Sequence, residues 1–177
     1  MMAQAIAAAL QRVEEVLRRR PSAGLGDDAS AMARWDGGTK VITSHANGMQ
    51  AVTDMPPVLG GEGAGVTPGW LLRAALASCV ATRIAMDAAA EGIELKTLAL
   101  IASSRSDMRG MLGMADADGA PVHAEPRDVQ LLVRISAIGA TPERLRALVE
   151  ASHRSSPVSC AMQQAVPVAL RVEVGAE

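Results

Sequence analysis

The strongest constraint on the fold of this chain is one long apolar segment near its middle, residues 67–91. Thr67 followed by Pro68 has the form of a helix N-cap with proline in the first turn, and Gly92 is a typical stop signal. The segment between them is apolar on almost every side, with Cys79 at its midpoint. Such a helix is expected to be buried on almost every side. A small domain rarely encloses one alone, so pairing with the same helix of a second subunit is the expected solution.

The rest of the chain groups its predicted strands into blocks separated by helices. Alternating apolar residues and turn signals predict a three-stranded meander, then two long strands, then a final strand. The predicted strands are 31–36, 39–46, 49–53, 94–104, 127–138 and 167–174. The predicted helices are 2–20, 68–91, 141–152 and 156–164. This order favours an α+β fold over a doubly wound parallel sheet.

Composition excludes several classes of protein. The 177 residues fit one domain, and the formal net charge of −2 leaves no basic footprint for nucleic acid or for a membrane surface. Residues 1–10 run directly into charged residues and read as an amphipathic helix, not as a signal peptide. No stretch reaches about 18 uninterrupted apolar residues, so we predict no membrane span. We therefore expect a cytoplasmic protein with both of its cysteines reduced.

Cys79 has two readings from its sequence context alone. A free cysteine on a buried helix commonly acts as a small hydrophobic residue. A reactive thiol needs stabilisation of its thiolate form, and Arg83 lies four residues on, on the same helix face. Arg83 is equally well spaced to pair with Asp87, another four residues on. The spacing leaves these alternatives open.

The predicted helix 156–164 holds the second group of candidates. Ser156 precedes Pro157, and Cys160 lies one turn deeper. The free N–H groups of a helix N-terminus can bind an anion, while the simpler reading makes Ser156 an N-cap.

The histidines and glycines carry no recognisable cofactor motif. His45, His123 and His153 lie in different segments without metal-ligand spacing, although His153 is close enough to Ser156 to line the same cleft. The Gly-rich run 60–65 lacks the lysine and the preceding strand of a phosphate loop. We therefore expect no metal and no cofactor.

The order of segments resembles the OsmC/Ohr family of thiol-dependent hydroperoxide reductases. The resemblance rests on "LLRAALASCVATRIAM", "GIEL", "SDMRGMLG" and "TPERLRALVEASHRSSPVSCAM", and spans roughly residues 30–174. It implies an OsmC-like α+β fold, with antiparallel sheets packed around long central helices in an intertwined homodimer. It also implies two parts of the chain, an N-terminal helical extension and linker over 1–29 and an OsmC-like domain over 30–177.

The resemblance also implies a chemistry and a set of residues. Cys79 falls on the family's peroxidatic cysteine, which becomes a sulfenic acid; a second cysteine then closes a disulfide that a dithiol reductant reopens. In this chain Ser156 stands where the family has its resolving cysteine, so Cys160 is the other thiol available. Gly69 stands where active family members commonly have Glu, and Arg34 or Lys40 are candidates for the family's arginine.

The leading hypothesis is therefore reduction of a small, apolar organic hydroperoxide by Cys79, in defence against oxidative stress. The alternative is a non-catalytic OsmC-like dimer that binds a small apolar ligand or acts as a redox sensor. A third possibility, thiol or acyl transfer at the cysteine, has no specific support in the sequence.

Overall fold

A computed structural model describes residues 2–164 and 166–175 and confirms the α+β prediction. Its helices agree with the predicted ones to within a few residues, and one short helix is added in the loop between the two long strands. The helices are α1 (Met2–Arg19), α2 (Pro68–Ala90), α3 (Met108–Met111), α4 (Pro142–Arg154) and α5 (Pro157–Gln164).

The described strands form two antiparallel sheets. They are β1 (Met32–Trp35), β2 (Val41–Ser44), β3 (Gln50–Thr53), β4 (Glu94–Arg105) and β5 (Arg127–Ile138). The first sheet is the predicted meander in the order β1-β2-β3, and the second is the pair β4-β5. Within the described residues the meander makes no substantial contact with a helix or with the second sheet. It is tied instead to the segment before α2, by a bridge between Thr53 and Val66.

The hydrophobic core lies between α2, the β4-β5 sheet and α4. From α2 it takes residues spaced by four, which places them on one face of the helix. The buried members of the cluster are Leu76, Val80, Ile84, Ala88, Leu145 and Leu148. Helix α5 also packs on α2, and the middle of α2, where Cys79 lies, contacts Ser156 in the α4-α5 connection.

A single protomer buries only part of α2, whereas the sequence predicts burial on almost every side with the help of a second subunit. Its buried residues are Leu76, Val80, Ile84, Ala88 and Ala89. Helix α1 packs on α2 as well, yet Trp70 remains 48% and Leu72 38% exposed. One chain supplies too few elements to surround a helix of 23 residues. By length and composition α2 also passes the test for a membrane-crossing helix; its packing on β4, α4 and α5 identifies it as a core helix.

The prediction of a final strand over 167–174 is wrong for the described structure. Residues 166–175 have no regular secondary structure and are exposed. The apolar residues still alternate, but Val168 and Val174 are 91% and 90% exposed. Alternation defines the two faces of a strand, whereas the strand itself forms only when a neighbouring strand supplies hydrogen bonds. No such neighbour lies beside this segment among the described residues.

A buried carboxylate organises the Gly-rich loop that leads into α2. Asp54 is 2% exposed and accepts hydrogen bonds from Thr39 Oγ1 at 2.6 Å and from the backbone N–H groups of Met55, Glu62 and Ala64. These donors favour the ionised form, above all the Thr39 hydroxyl, and lower the pKa of Asp54 from 3.8 to about 2. The loop therefore depends on a charged Asp54.

This geometry predicts an acid-sensitive contribution to stability. Because the folded pKa of Asp54 is depressed, its contribution is complete above the ordinary value of 3.8 and is lost as pH falls towards about 2. We expect Asp54→Asn to lower the melting temperature at about pH 7 and to flatten the dependence of stability on pH between about 4 and 2. Thermal unfolding followed by circular dichroism checks this, with Asp27→Asn in the exposed linker as the control. An unchanged acid profile in Asp54→Asn would contradict it.

Candidate functional site

The candidate site is centred on Cys79, halfway along α2. The residue is half-buried, next to the fully buried Val80. Its sulfur accepts a hydrogen bond from the hydroxyl of Ser156, with 3.2 Å between Oγ and Sγ. Ser156 is itself fully buried, at 0% exposure. A buried hydroxyl is therefore directed at the sulfur atom that the sequence singled out.

Ser156 is held in place by the tight connection between α4 and α5. Its backbone N–H donates to the carbonyl of His153 at 3.3 Å, and its own carbonyl accepts from the N–H of Cys160 at 2.9 Å. Pro157 follows at the first position of α5, where its fixed φ suits a helix start. The hydroxyl is therefore positioned by backbone contacts on both sides, in addition to its bond to Cys79.

The second thiol has a different partner. Cys160 is half-buried and its Sγ–H donates to the carbonyl of Arg154 at 3.2 Å. Both cysteines are free. Of the two candidates on the α4-α5 segment, Ser156 is thus the one that contacts Cys79.

Arg83 is engaged by Asp87, which answers the question that the sequence left open. Its Nη2 lies 2.7 Å from Asp87 Oδ1, and its Nε donates to Oδ2 at 3.0 Å. The hydroxyl of Ser152, fully buried on α4, donates to the same Oδ2 at 2.7 Å. Sequence reasoning missed Ser152, because nothing in its local pattern distinguishes it from any other helical serine.

Arg34 and Lys40 lie on the meander and share one partner. Arg34 Nη2 is 3.2 Å from Asp36 Oδ1, and Lys40 Nζ is 3.4 Å from Asp36 Oδ2. The meander makes no substantial contact with α2, and both cations are paired with Asp36, so within the described residues neither cation is placed as a partner of Cys79.

Gly69, in the first turn of α2, leaves an open place. A Cβ atom there would lie 3.7 Å from Nη1 of Arg73, and that nitrogen donates to the Ser104 hydroxyl at 3.3 Å. Gly69, at the position where the resemblance implies a Glu, therefore lies beside a guanidinium group but carries no carboxylate.

An apolar cavity of about 410 Å³ borders the site. It lies between α2, β5, α4 and α5, and its wall includes Leu76 and Val80, which flank Cys79 on α2. His153 also lines it, with Nε2 2.7 Å from the hydroxyl of the buried Ser159. His153 and Ser159 thus line this cavity together, whereas Ser156, with which His153 was predicted to share a cleft, does not line it. Within the described residues, no group of three or more His, Cys, Asp or Glu side chains could hold a metal ion.

Comparisons with known proteins agree on one family. A family model described as OsmC-like protein matches residues 61–171, more than half of the chain. The structure is similar to an OsmC like protein from Mycoplasma pneumoniae, with a TM-score of 0.65 and 15% identity over 78% of this chain and 89% of that one. No match was found among curated proteins.

Two further similar structures carry functional names. One is an organic hydroperoxide resistance protein OsmC from Legionella pneumophila, with a TM-score of 0.55 and 21% identity over 78% of this chain and 92% of that one. The other is the organic hydroperoxide resistance protein OhrB of Bacillus subtilis, with a TM-score of 0.50 and 21% identity over 77% and 91%. At these identities the similarity establishes the fold.

Proposed function

We propose that this chain, which belongs to the OsmC-like protein family, reduces organic hydroperoxides with Cys79 as the attacking thiol. The observation that carries the proposal is the hydrogen bond from the buried Ser156 hydroxyl to Cys79 Sγ, at 3.2 Å. A donor aimed at the sulfur stabilises the ionised nucleophile, since hydrogen bonds to charged acceptors are the stronger ones. The function named for the similar Legionella and Bacillus proteins supports the same chemistry.

The proposed reaction needs no cofactor. The Cys79 thiolate attacks the outer peroxide oxygen, the O–O bond breaks, and the alkoxide takes up a proton and leaves as the alcohol. The sulfur, oxidised by two electrons, becomes a sulfenic acid. A reducing cytoplasm would supply the thiols needed to return it to the starting state.

The substrate class follows from the surroundings of the sulfur. Leu76 and Val80, two aliphatic residues of α2 close to Cys79, line the cavity of about 410 Å³. Arg83, the cation one turn from Cys79 on the same helix, is held by Asp87. Such a site favours a small, apolar hydroperoxide over a charged one.

We expect Cys79→Ser to abolish the reduction of tert-butyl or cumene hydroperoxide, because the nucleophile is removed. Peroxide consumption in the presence of excess dithiothreitol measures this. Cys160→Ser is the matched control, since it removes the chain's other thiol. Equal turnover by Cys79→Ser and the parent protein, both correctly folded, would rule the proposal out.

The proposed assembly is a homodimer. It is supported by the exposed apolar residues of α2, by the meander that makes no substantial contact with a helix or with the second sheet among the described residues, and by the unpaired apolar alternation of 166–175. A second copy would cover surfaces of this kind, since monomeric proteins rarely expose large contiguous apolar patches. Sedimentation equilibrium should give twice the chain mass of 18.3 kDa; a monomer at micromolar concentration would contradict this assembly.

A non-catalytic role as a redox sensor or apolar-ligand carrier is the second candidate. It is favoured by the pairing of Arg83 with Asp87 and by Gly69, which together leave Cys79 without a charged partner among the residues that the structure describes. Mass spectrometry after peroxide treatment separates the two roles. A sensor would be oxidised at Cys79 but would not turn over, and a carrier would leave Cys79 unmodified.

A further inference from the structure

We propose that the sulfenic acid formed on Cys79 is resolved by an external monothiol, through a mixed disulfide on Cys79, and that Cys160 takes no part. This inference rests on the proposed function and names its second substrate. It starts from the fact that the residue in contact with Cys79 cannot form a disulfide, because Ser156 presents a hydroxyl to the sulfur.

Ser156, and not Cys160, occupies the position next to the Cys79 sulfur. Cys160 lies one turn further along α5, a separation of about 6 Å along the helix axis, and its backbone N–H is bonded to the carbonyl of Ser156. Its sulfur is directed at the Arg154 carbonyl at 3.2 Å. A bond between the two sulfurs needs about 2.05 Å, so Cys160 would have to leave Arg154 and displace the Ser156 hydroxyl.

Local unwinding of α5 would be required for that movement, and the surrounding contacts oppose it. Ser156 and Ser159, the first residues of this segment to face inward, are 0% and 2% exposed. Ser159 is further tied to His153 Nε2 at 2.7 Å. The first turn of α5 is therefore anchored by Ser156 and by Ser159, and this is the turn that would need to unwind.

An external monothiol requires no movement of α5, and Cys79 is only half-buried. Its thiolate attacks the sulfur of Cys79-SOH, an S–S bond forms, and the hydroxyl leaves as water after taking up a proton. A second molecule of monothiol then attacks the mixed disulfide, releasing the Cys79 thiolate and the oxidised, disulfide-linked reductant. In sum, one hydroperoxide and two monothiols give one alcohol, one water and one disulfide.

Intact-protein mass spectrometry after treatment with stoichiometric tert-butyl hydroperoxide tests this, with glutathione as the monothiol probe. Without glutathione, we expect the parent protein to gain one oxygen atom, trapped on Cys79 by dimedone, and not to lose two hydrogen atoms. With glutathione, we expect a glutathione adduct on Cys79. Glutathione-supported turnover of Cys160→Ser should equal that of the parent within about twofold.

Ser156→Cys is the positive control, because it places a thiol at the site of contact with Cys79. This variant should lose two hydrogen atoms on oxidation and should form no glutathione adduct. Loss of two hydrogen atoms by the parent, abolished in Cys160→Ser, would overturn the inference while leaving peroxide reduction intact. Failure of Cys79 to be oxidised at all would instead remove the proposed function, and this inference with it.

Discussion

Ile84→Ala is expected to lower the free energy of unfolding by about 2–5 kcal/mol, the largest effect on stability that we predict for a single substitution. Ile84 is 0% exposed and belongs to the core cluster between α2, the β4-β5 sheet and α4. Truncation removes three carbon atoms from a site enclosed on all sides, and the helix backbone cannot collapse into the space without displacing Val80 and Ala88, one turn away in each direction.

The matched control is Ile138→Ala, the same chemical change at a residue that is 53% exposed at the end of β5. Its cost should be below about 1 kcal/mol, because little apolar surface is withdrawn from water there. Urea unfolding at one fixed protein concentration measures both variants, since the apparent stability of the proposed dimer would depend on concentration. Equal losses in the two variants would contradict the position assigned to Ile84 in the core.

Local sequence signals were sufficient for the elements with strong boundaries. Helix α2 begins at Pro68 after the cap Thr67, whose hydroxyl accepts from Trp70 N–H at 3.2 Å, and it ends just before Gly92. The long strands β4 and β5 followed from alternation, and their pairing in one antiparallel sheet matches the predicted block order. These features depend on contacts between residues close in the chain or on a repeating pattern, and both are visible in one sequence.

The last predicted strand shows where such signals stop. Residues 166–175 carry the alternation of a strand, but the pattern records which side chains share a face and not which neighbour completes the hydrogen bonds. The neighbour that a strand needs for its hydrogen bonds leaves no mark in the strand's own local sequence. In the same way, the apolar circumference of α2 indicates that its surface is to be covered, but not which element covers it.

The residues of the candidate site were predictable from the sequence, but their long-range contacts were not. The resemblance identified Cys79 and Ser156, and spacing identified Arg83 and Asp87 as one possible pair. Their long-range partners were beyond reach: the contact between Ser156 and Cys79 joins residues 77 positions apart, and that between Ser152 and Asp87 joins residues 65 apart. Such contacts are set by how α4 and α5 pack on α2, which no periodicity records.

For Asp54 the sequence predicts the loop in which it lies but not the hydrogen bonds that it accepts. An aspartate at the start of a Gly-rich loop is a common hydrogen-bond acceptor for backbone N–H groups, yet the loop residues that donate to it lie eight and ten positions on. The sequence indicated a loop, and the structure added the buried carboxylate that fixes its shape.

Ser156→Ala is expected to lower kcat/KM for tert-butyl hydroperoxide by about tenfold or more. The substitution removes one oxygen atom, and with it the donor that lies 3.2 Å from Cys79 Sγ. A hydrogen bond to a charged acceptor contributes about 1.5–3 kcal/mol, and each 1.36 kcal/mol lost from transition-state stabilisation is about tenfold in rate. If the hydroxyl stabilises the attacking sulfur, the alkylation of Cys79 by iodoacetamide should slow in parallel.

The neighbouring residue provides the control. The Ser155 hydroxyl is exposed and donates to the carbonyl of Ala151 at 3.1 Å, so Ser155→Ala makes the same chemical change one residue away without touching the sulfur. Its kcat/KM should stay within about twofold of the parent value. Steady-state peroxide reduction with a fixed thiol, with far-ultraviolet circular dichroism to confirm the fold, measures both. If the two variants were equally active, the hydroxyl of Ser156 would be a packing feature of the α4-α5 connection, and the attack by Cys79 would draw its stabilisation from groups outside the protomer.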